Sequence, residues 1–439
     1  MLKNFDHLNE DLSIGERMLN LAKSLYPFNR SLMGPDIRDS FQKFINLNPE
    51  FEELRFYTGE KVFDWEIPQE WIIRDAFLEH ESGRRFAEFK KCNLHLMGYS
   101  TAVDKIFSKD DLISKISTIP GSPTSIPYVT SYYKKNWGFC LAHNQFLKLP
   151  EGKYRVFIDS EHKPGYLNLI ESIIPGESKK EIFFSTYLCH PSLANNELSG
   201  PVLLNEVLNF VKGLKNRKYT YRFVILPETL GSIAYLSKRY KLLNEFMMCG
   251  FNLSCVGDDR SYSHVSSRLG NNLADQALSA SLIGLKNVKS FSFLDRGSDE
   301  RQYCAPGIDL PVCTFCRTKF GCYPEYHTSD DNFNVVTANG LLGSYNVLIN
   351  IIKSFEIGLY PSINVLGEPQ LSKRGLYPNL SNYHQGINPA KNRMNIIAYC
   401  DSKHSIFDIA KKVNIDLSIV LEEIQELKSK GLIDNIYIH

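Results

Sequence analysis

Residues 180–201 read KEIFFSTYLCHPSLANNELSGP. Apolar and β-branched residues lead up to Cys189-His190, small and polar residues then bend the chain, and Leu198-Ser199-Gly200 opens a helix. A run with apolar residues on both faces reads as a strand buried on both faces, which is how parallel sheets covered by helices are built. In such sheets chemistry collects where strands end and loops turn over the carboxyl edge. A histidine, two asparagines and a glutamate stand at that edge here.

The alternation continues from about Tyr154 to Glu356. Strand-like runs YRVFIDS, YLNLIESIIPG, YTYRFVILPE and MCGFNLSCVG are interleaved with helical patterns at Gly200–Lys212 and Gly231–Arg239. This predicts an α/β fold with a mostly parallel sheet sandwiched by helices. Upstream, residues from about Ile14 to Phe56 repeat apolar side chains at three- and four-residue steps, a helical entry to the same domain. Between Thr58 and Gly152 the texture changes to short alternating runs broken by Pro and Gly, with Trp65, Trp71 and Trp137 all inside, and reads as a β-rich insertion. The expected division is therefore 1–57 with 154–360 for the α/β domain, 58–153 for the insertion, and 361–439 for a linker and a compact tail.

The chain has 439 residues, 43% hydrophobic and 23% charged, enough for a large core in two or three domains. Fifty basic against 49 acidic residues leave a net charge of +1, so no broad basic field exists for nucleic acid or an anionic membrane. The start MLKNFDHLNEDLSIGERMLN lacks the basic and apolar regions of a signal peptide, no run reaches membrane-spanning length, and a cytoplasmic location is the expectation. Ten scattered cysteines read as reduced thiols. Cys313-x-x-Cys316 has no second pair at zinc-ribbon spacing and lies in a strand-like run.

His190, Glu228 and Asp258-Asp259 each follow a strand, and His327 lies in CYPEYHTSDDN after another. Two imidazoles with carboxylates make an N/O site of the kind zinc prefers, and a spare glutamate can serve as proton acceptor.

HPSLANNELSG, PETLGS, NLSCVGDD, GSDERQYCAPGIDLPV and EYHTSDDN occur in the order and approximate spacing of the motifs of the zinc aminopeptidase and glutaminyl cyclase superfamily, which this chain resembles. It is most similar to a bacterial group of aminopeptidase-like proteins with a β-rich insertion and a C-terminal winged helix. The resemblance makes His190 the first metal histidine and His327 the last. It places Asn196 at the bridging aspartate, Thr229 beside Glu228 where a second glutamate is usual, and Ser254 at the next metal aspartate. With those carboxylates absent it implies one zinc, held by His190, His327 and Asp258, and Glu228 as general base. A shifted register makes Glu228 a ligand instead, with Glu197 the nearest candidate in sequence for the base. In GSDERQ, Asp299 would receive a substrate amine or Arg301 clamp a substrate carboxylate, and Glu300 stands where the family has histidine. Asp330 and Asp331 would cap a helix or orient His327. Cys189 and Cys322 are expected to be buried.

The implied activity is that of a zinc-dependent exopeptidase or related amidohydrolase, acting on a peptide or small amide. The alternative is a degenerate peptidase fold that binds or regulates, with the tail as its working end. That tail, SIFDIAKKVNI and LSIVLEEIQELKSKGLI followed by DNIYIH, resembles a winged helix. Five lysines against seven acidic residues between Asp401 and Asp434 favour a protein partner over DNA.

Overall fold

Within the strand Ser178–Tyr187, Ile182 and Phe184 point into one apolar cluster while Phe183 and Tyr187 point into another. The strand is thus buried on both faces, as its composition requires. The computed structural model describes residues 11–376 and 389–438. Tyr219–Leu226 and Met247–Leu253 pair with this strand on either side in parallel, and Val312–Cys316 continues in parallel beyond Met247–Leu253. Outside this centre the sheet turns antiparallel. Tyr166–Ile174 and then Glu52–Tyr57 extend one margin, and Tyr262–Val265, with Val288–Phe291 parallel to it, extends the other. The result is an eight-stranded mixed sheet.

Helices Asp11–Leu25, Pro35–Leu47, Ser199–Gly213, Leu273–Ser281 and Ala338–Ile357 contribute to the first cluster, and Leu230–Phe246 covers the other face. Gly200 is needed where the first helix turn meets the sheet. A Cβ there would lie 2.1 Å from Thr186 Oγ1 and 2.9 Å from the Leu253 carbonyl.

Two expectations are corrected. The helical entry ends at Leu47, and Glu52–Tyr57, which the periodicity had placed in it, is the edge strand of the main sheet. The run YRVFIDS does not begin the α/β alternation. It lies in Lys153–Lys163, which pairs antiparallel with Glu70–His80 in a separate four-stranded sheet completed by Arg85–Phe86 and Val103–Ser108. Both strands alternate, and a short alternating run does not reveal which sheet it joins.

In the tail, helices Pro389–Ile397, Ile406–Val413 and Leu417–Ser429 accompany a strand pair, Tyr360–Ile363 with Ile433–Ile436. Pro361 therefore belongs to the tail's own sheet, and residues 377–388 of the proposed linker lie outside the described residues. Phe407, Ile409, Val420 and Ile424 share one apolar cluster with Leu278, Leu348 and Ile352 of the α/β body. Phe407 meets Phe355 edge-on at 5.5 Å, and the Ile438 amide donates to Tyr219 Oη at 2.8 Å. Among the described residues no helix is long and apolar enough to cross a membrane.

Candidate active site

The chain leaves the central strand at Tyr187 and reaches His190 three residues later, before a single wide π-helical turn, Ala194–Leu198, opens the helix. Such turns concentrate at functional sites. The wide turn carries Glu197, fully buried, back to the corner, where one carboxylate oxygen contacts His190 Nδ1 and the other accepts the Cys189 N–H at 2.5 Å. A carboxylate on Nδ1 fixes the ring and leaves Nε2 as its outward nitrogen. Burial disfavours the charged imidazole, but the carboxylates of Glu197 and Glu228 outweigh it and raise the proton affinity of His190. Arg30 supports the corner from behind. It is buried, donates from Nε to the His190 carbonyl at 3.1 Å, and lies close enough to Glu197 to feel its charge.

His327 arrives from the loop after Val312–Cys316. Four residues on, Asp331 caps the π turn, accepting the Asn195 and Asn196 amides at 2.6 and 3.0 Å while its carbonyl accepts the Ala194 amide at 2.9 Å. The capping role expected of Asp331 is therefore seen, and it ties one histidine loop to the other. The two rings lie 5.4 Å apart. His327 has a left-handed backbone, φ 57°, and its Nε2 is buried with no partner. Burial, with the charge on His190, lowers its proton affinity to about 3, so this imidazole is neutral and its lone pair free.

Glu228 follows Tyr219–Leu226. Its amide donates to Cys189 Sγ at 3.3 Å, and its carbonyl accepts the Leu230 amide at 2.8 Å across Thr229, at φ 65° and ψ −73°. That is a classic-type γ-turn, a strained conformation for a β-branched residue. Asp299 holds it, accepting the Thr229 amide at 2.8 Å and the Ser232 hydroxyl at 2.7 Å, and Arg301 Nη2 donates to Thr229 Oγ1 at 2.7 Å. Burial, opposed by His190 and reinforced by Asp299 and Glu197, pushes the Glu228 carboxyl up to about 8.

Residues 19–358 match the family described as Domain of unknown function (DUF4910). The chain belongs to that family. Residues 358–435 of this DUF4910 protein match a winged helix-turn-helix. It is 37% identical over 415 residues, 93% of this chain and 94% of the relative, to a Clostridium acetobutylicum protein that carries the provisional name polysaccharide biosynthesis protein with aminopeptidase-like domain. A crystal structure from the same organism, provisionally called a peptidase, aligns with TM-score 0.87 at 34% identity over 97% of both chains. A zinc aminopeptidase from Bacillus subtilis aligns with TM-score 0.58 at 12% identity over 78% of this chain and 93% of its own, which shows a shared fold. The aminopeptidase-like fold and the winged helix expected from the motifs are both present.

Within this DUF4910 fold the expected site residues are only partly gathered. His190, His327 and Glu228 share one corner. Asp258 does not join them as a ligand, because both its oxygens are committed. Oδ1 accepts from Thr318 Oγ1 at 2.7 Å and the Arg260 amide at 3.0 Å, and Oδ2 from the Thr318 amide at 2.9 Å and Asn195 Nδ2 at 3.3 Å. Asp258→Asn is accordingly expected to leave zinc content unchanged while costing about 1–3 kcal/mol of stability, as for a buried partner left unsatisfied. Metal analysis and denaturant unfolding check this together.

Asp299 is fully buried and holds the Glu228 turn through Oδ1, while its Oδ2 is buried with no partner. Arg301 is half-buried beside that turn, near enough to Glu228 and Asp299 to favour their charged forms. Glu300 is buried, accepting the Gly297 and Ser298 amides at 2.7 and 3.1 Å and the Thr314 hydroxyl at 2.9 Å. Cys189 is buried as expected, but Cys322 is exposed, because its loop runs over the surface. At the remaining family positions Asn196 donates to Tyr187 Oη at 2.5 Å, which in turn pairs with Ser254 Oγ at 2.7 Å. A neutral network stands where carboxylates are usual.

Arg30 and Tyr128 are the contributors that motif reading missed as site residues, and Glu197, a fallback candidate for the base, holds His190 instead. Tyr128, from the inserted region, lies edge-on to His190 at 4.5 Å and His327 at 5.2 Å. Neither Arg30 nor Tyr128 follows a strand of the main sheet, so no positional signal marked them.

The donor set suits a zinc ion: two imidazoles, one with a free buried nitrogen, beside a carboxylate. Its titration has a consequence for the metal-free protein. Glu228 binds its proton more tightly when folded, so between its ordinary 4.5 and about 8 stability falls as pH rises. His190 acts in the same sense above its ordinary 6.5, and His327 acts oppositely only between about 3 and 6.5. From pH 6.5 to 8 the metal-free protein should lose on the order of 1 kcal/mol. A melting temperature that rises over that window contradicts this coupling.

Proposed function

We propose that the protein is a zinc-dependent exopeptidase or related amidohydrolase. One observation carries the reading: two histidine rings 5.4 Å apart, one with a buried, orphaned Nε2, beside a glutamate whose proton affinity lies near neutrality. His190 and His327 would hold a single zinc ion, since Asn196, Thr229 and Ser254 leave a second ion without carboxylates. When bound, the ion supplies Lewis-acid activation of water and of the amide carbonyl. Glu197 keeps His190 oriented through Nδ1, and Asp299 keeps the Thr229 turn that presents Glu228. Glu228 accepts the proton from water at its carboxylate and passes it to the leaving nitrogen, the task a carboxyl tuned toward neutrality performs well. Arg301, whose Nε and Nη2 also donate to the Ser298 carbonyl and Thr229 Oγ1, would offer its charge to an anionic group of the substrate.

The relative named for polysaccharide biosynthesis extends the candidate substrates from peptides to amides carried on sugars. The test is metal analysis of the purified protein with a hydrolysis screen over aminoacyl amides, short peptides and N-acyl amino sugars. Stoichiometric zinc with chelator-sensitive release of amine supports the proposal; no turnover by zinc-loaded protein on any of these classes counts against it.

A second reading is favoured by the neutral Asn196–Tyr187–Ser254 network: a binding or regulatory protein on a degenerate peptidase fold. Its working surface would be the winged helix. There Glu422 is exposed on the helix Leu417–Ser429, and the tail's excess of acidic residues suits a protein partner better than DNA. That reading predicts no turnover and no dependence on Glu228.

A further inference from the structure

A series of aromatic residues runs from the inserted sheet to the two histidines. Trp71, on the strand Glu70–His80, stacks on Tyr99 at 5.7 Å, and Tyr99 meets Tyr132 edge-on at 5.2 Å. The Tyr132 and Tyr128 hydroxyls are near enough to feel each other's charge, and the Tyr128 ring lies against both His190 and His327. Its backbone is tied to the histidine loop as well. The Tyr128 amide donates to the His327 carbonyl at 2.8 Å, and Pro127 bridges Thr328. The Ile126 amide donates to Ser329 Oγ at 3.0 Å, the Ser329 amide to the Ile126 carbonyl at 2.9 Å, and Ser125 Oγ contacts Asp330. Four consecutive residues of the insertion therefore run alongside four of the histidine loop.

We propose that Tyr128 is a positioning residue that sets the orientation and spacing of the His190 and His327 rings, making the inserted region a working part of the centre. This rests on reading the two histidines as metal ligands. The need for such a residue is visible at His327. A ligating histidine is normally oriented by a hydrogen bond from its second ring nitrogen. His190 has Glu197 for this purpose; among the described residues no hydrogen bond holds the His327 ring, whose backbone is also left-handed. What confines it is Tyr326, stacked at 3.9 Å, on one side and the edge-on Tyr128 on the other. Removing Tyr128 leaves His327 free to turn and removes the ring wedged beside His190.

The experiment measures zinc affinity on the full-length chain by competition with a chromogenic chelator, for wild type, Tyr128→Ala and Tyr128→Phe. Hydrogen exchange of the metal-free proteins is measured alongside. Tyr128→Ala should weaken zinc binding by about 10–100-fold, the range for loss of a group supporting a ligand. Tyr128→Phe keeps both edge-on contacts and should bind like wild type. Equal affinity for Tyr128→Ala and wild type, or a Phe variant as weak as the Ala variant, overturns the proposal. If Tyr128→Ala does not fold, the double variant Ser125→Ala, Ser329→Ala, which cuts the loop's side-chain ties without touching either ring, must weaken zinc while Tyr128→Phe does not. Should wild type bind no zinc, the metal reading falls, and exchange decides the positioning. Amides 327–331 then exchange faster in the Ala variant than in wild type and Phe if Tyr128 orders the loop, and equal protection overturns it.

Discussion

Glu228→Gln is expected to lower turnover of a verified amide substrate by at least about 10²-fold, the usual cost of a lost general acid/base, with zinc content and melting temperature unchanged. Glutamine fills the same space and leaves the γ-turn at Thr229 intact, since that turn is held by Asp299 and Arg301 through backbone and threonine atoms. It cannot accept a proton. His190→Ala and His327→Ala should behave differently and release the metal, because a site left with one protein ligand loses both attraction and enforced geometry. The pH profile gives a second check. A carboxyl raised to about 8 by burial, with the charges of Asp299 and Glu197 adding to it, is protonated over much of the neutral range. Activity should therefore rise with pH along a limb that Glu228→Gln abolishes, and a bound cation moves that limb to lower pH. Zinc lost as readily from Glu228→Gln as from the histidine variants would make Glu228 a ligand. Glu197 could not then serve as the base, since its two oxygens are committed to His190 Nδ1 and the Cys189 amide.

The fold's centre was legible because a strand buried on both faces has one reading, and KEIFFSTY has apolar side chains on both. The strand ends at His190 and Glu228 were legible for the same reason: motif order locates carboxyl edges. Three things were not. Asp258 follows a strand as a ligand would, but nothing in its spacing shows that Thr318 and Asn195 already occupy its oxygens. Glu197 read as turn polarity because the π turn that swings it onto His190 adds a residue that no heptad-like count anticipates. Tyr128 sits about 60 residues before the first motif, and only the loop pairing with 327–330 brings it to the histidines. Contacts made across long sequence separation leave no local periodicity to detect.

The tail's own sequence suggested a compact module behind a linker; the core it shares with the α/β body makes it part of one folding unit. Truncation after Gly358 should abolish the soluble, cooperatively folded protein. Phe407, Ile409, Val420 and Ile424 are fully buried against Leu278, Leu348, Ile352 and Phe355, and removing them exposes one side of the helices Leu273–Ser281 and Ala338–Ile357 to water. The second of those helices begins at Thr337, whose hydroxyl donates to Asp259 Oδ2 at 2.5 Å and whose amide donates to the Gly257 carbonyl at 3.0 Å. Loss of the tail therefore reaches the loop that carries Asp258. A gentler variant measures the same coupling: Phe407→Ala in the full chain should cost about 3–5 kcal/mol, the range for a buried phenylalanine truncated to alanine. Denaturant unfolding should show this as one transition shifted to lower midpoint for the whole protein, because the tail and body share a core. Two separate transitions, with only the minor one moved by Phe407→Ala, would show that the tail folds apart and that its packing on the body contributes little.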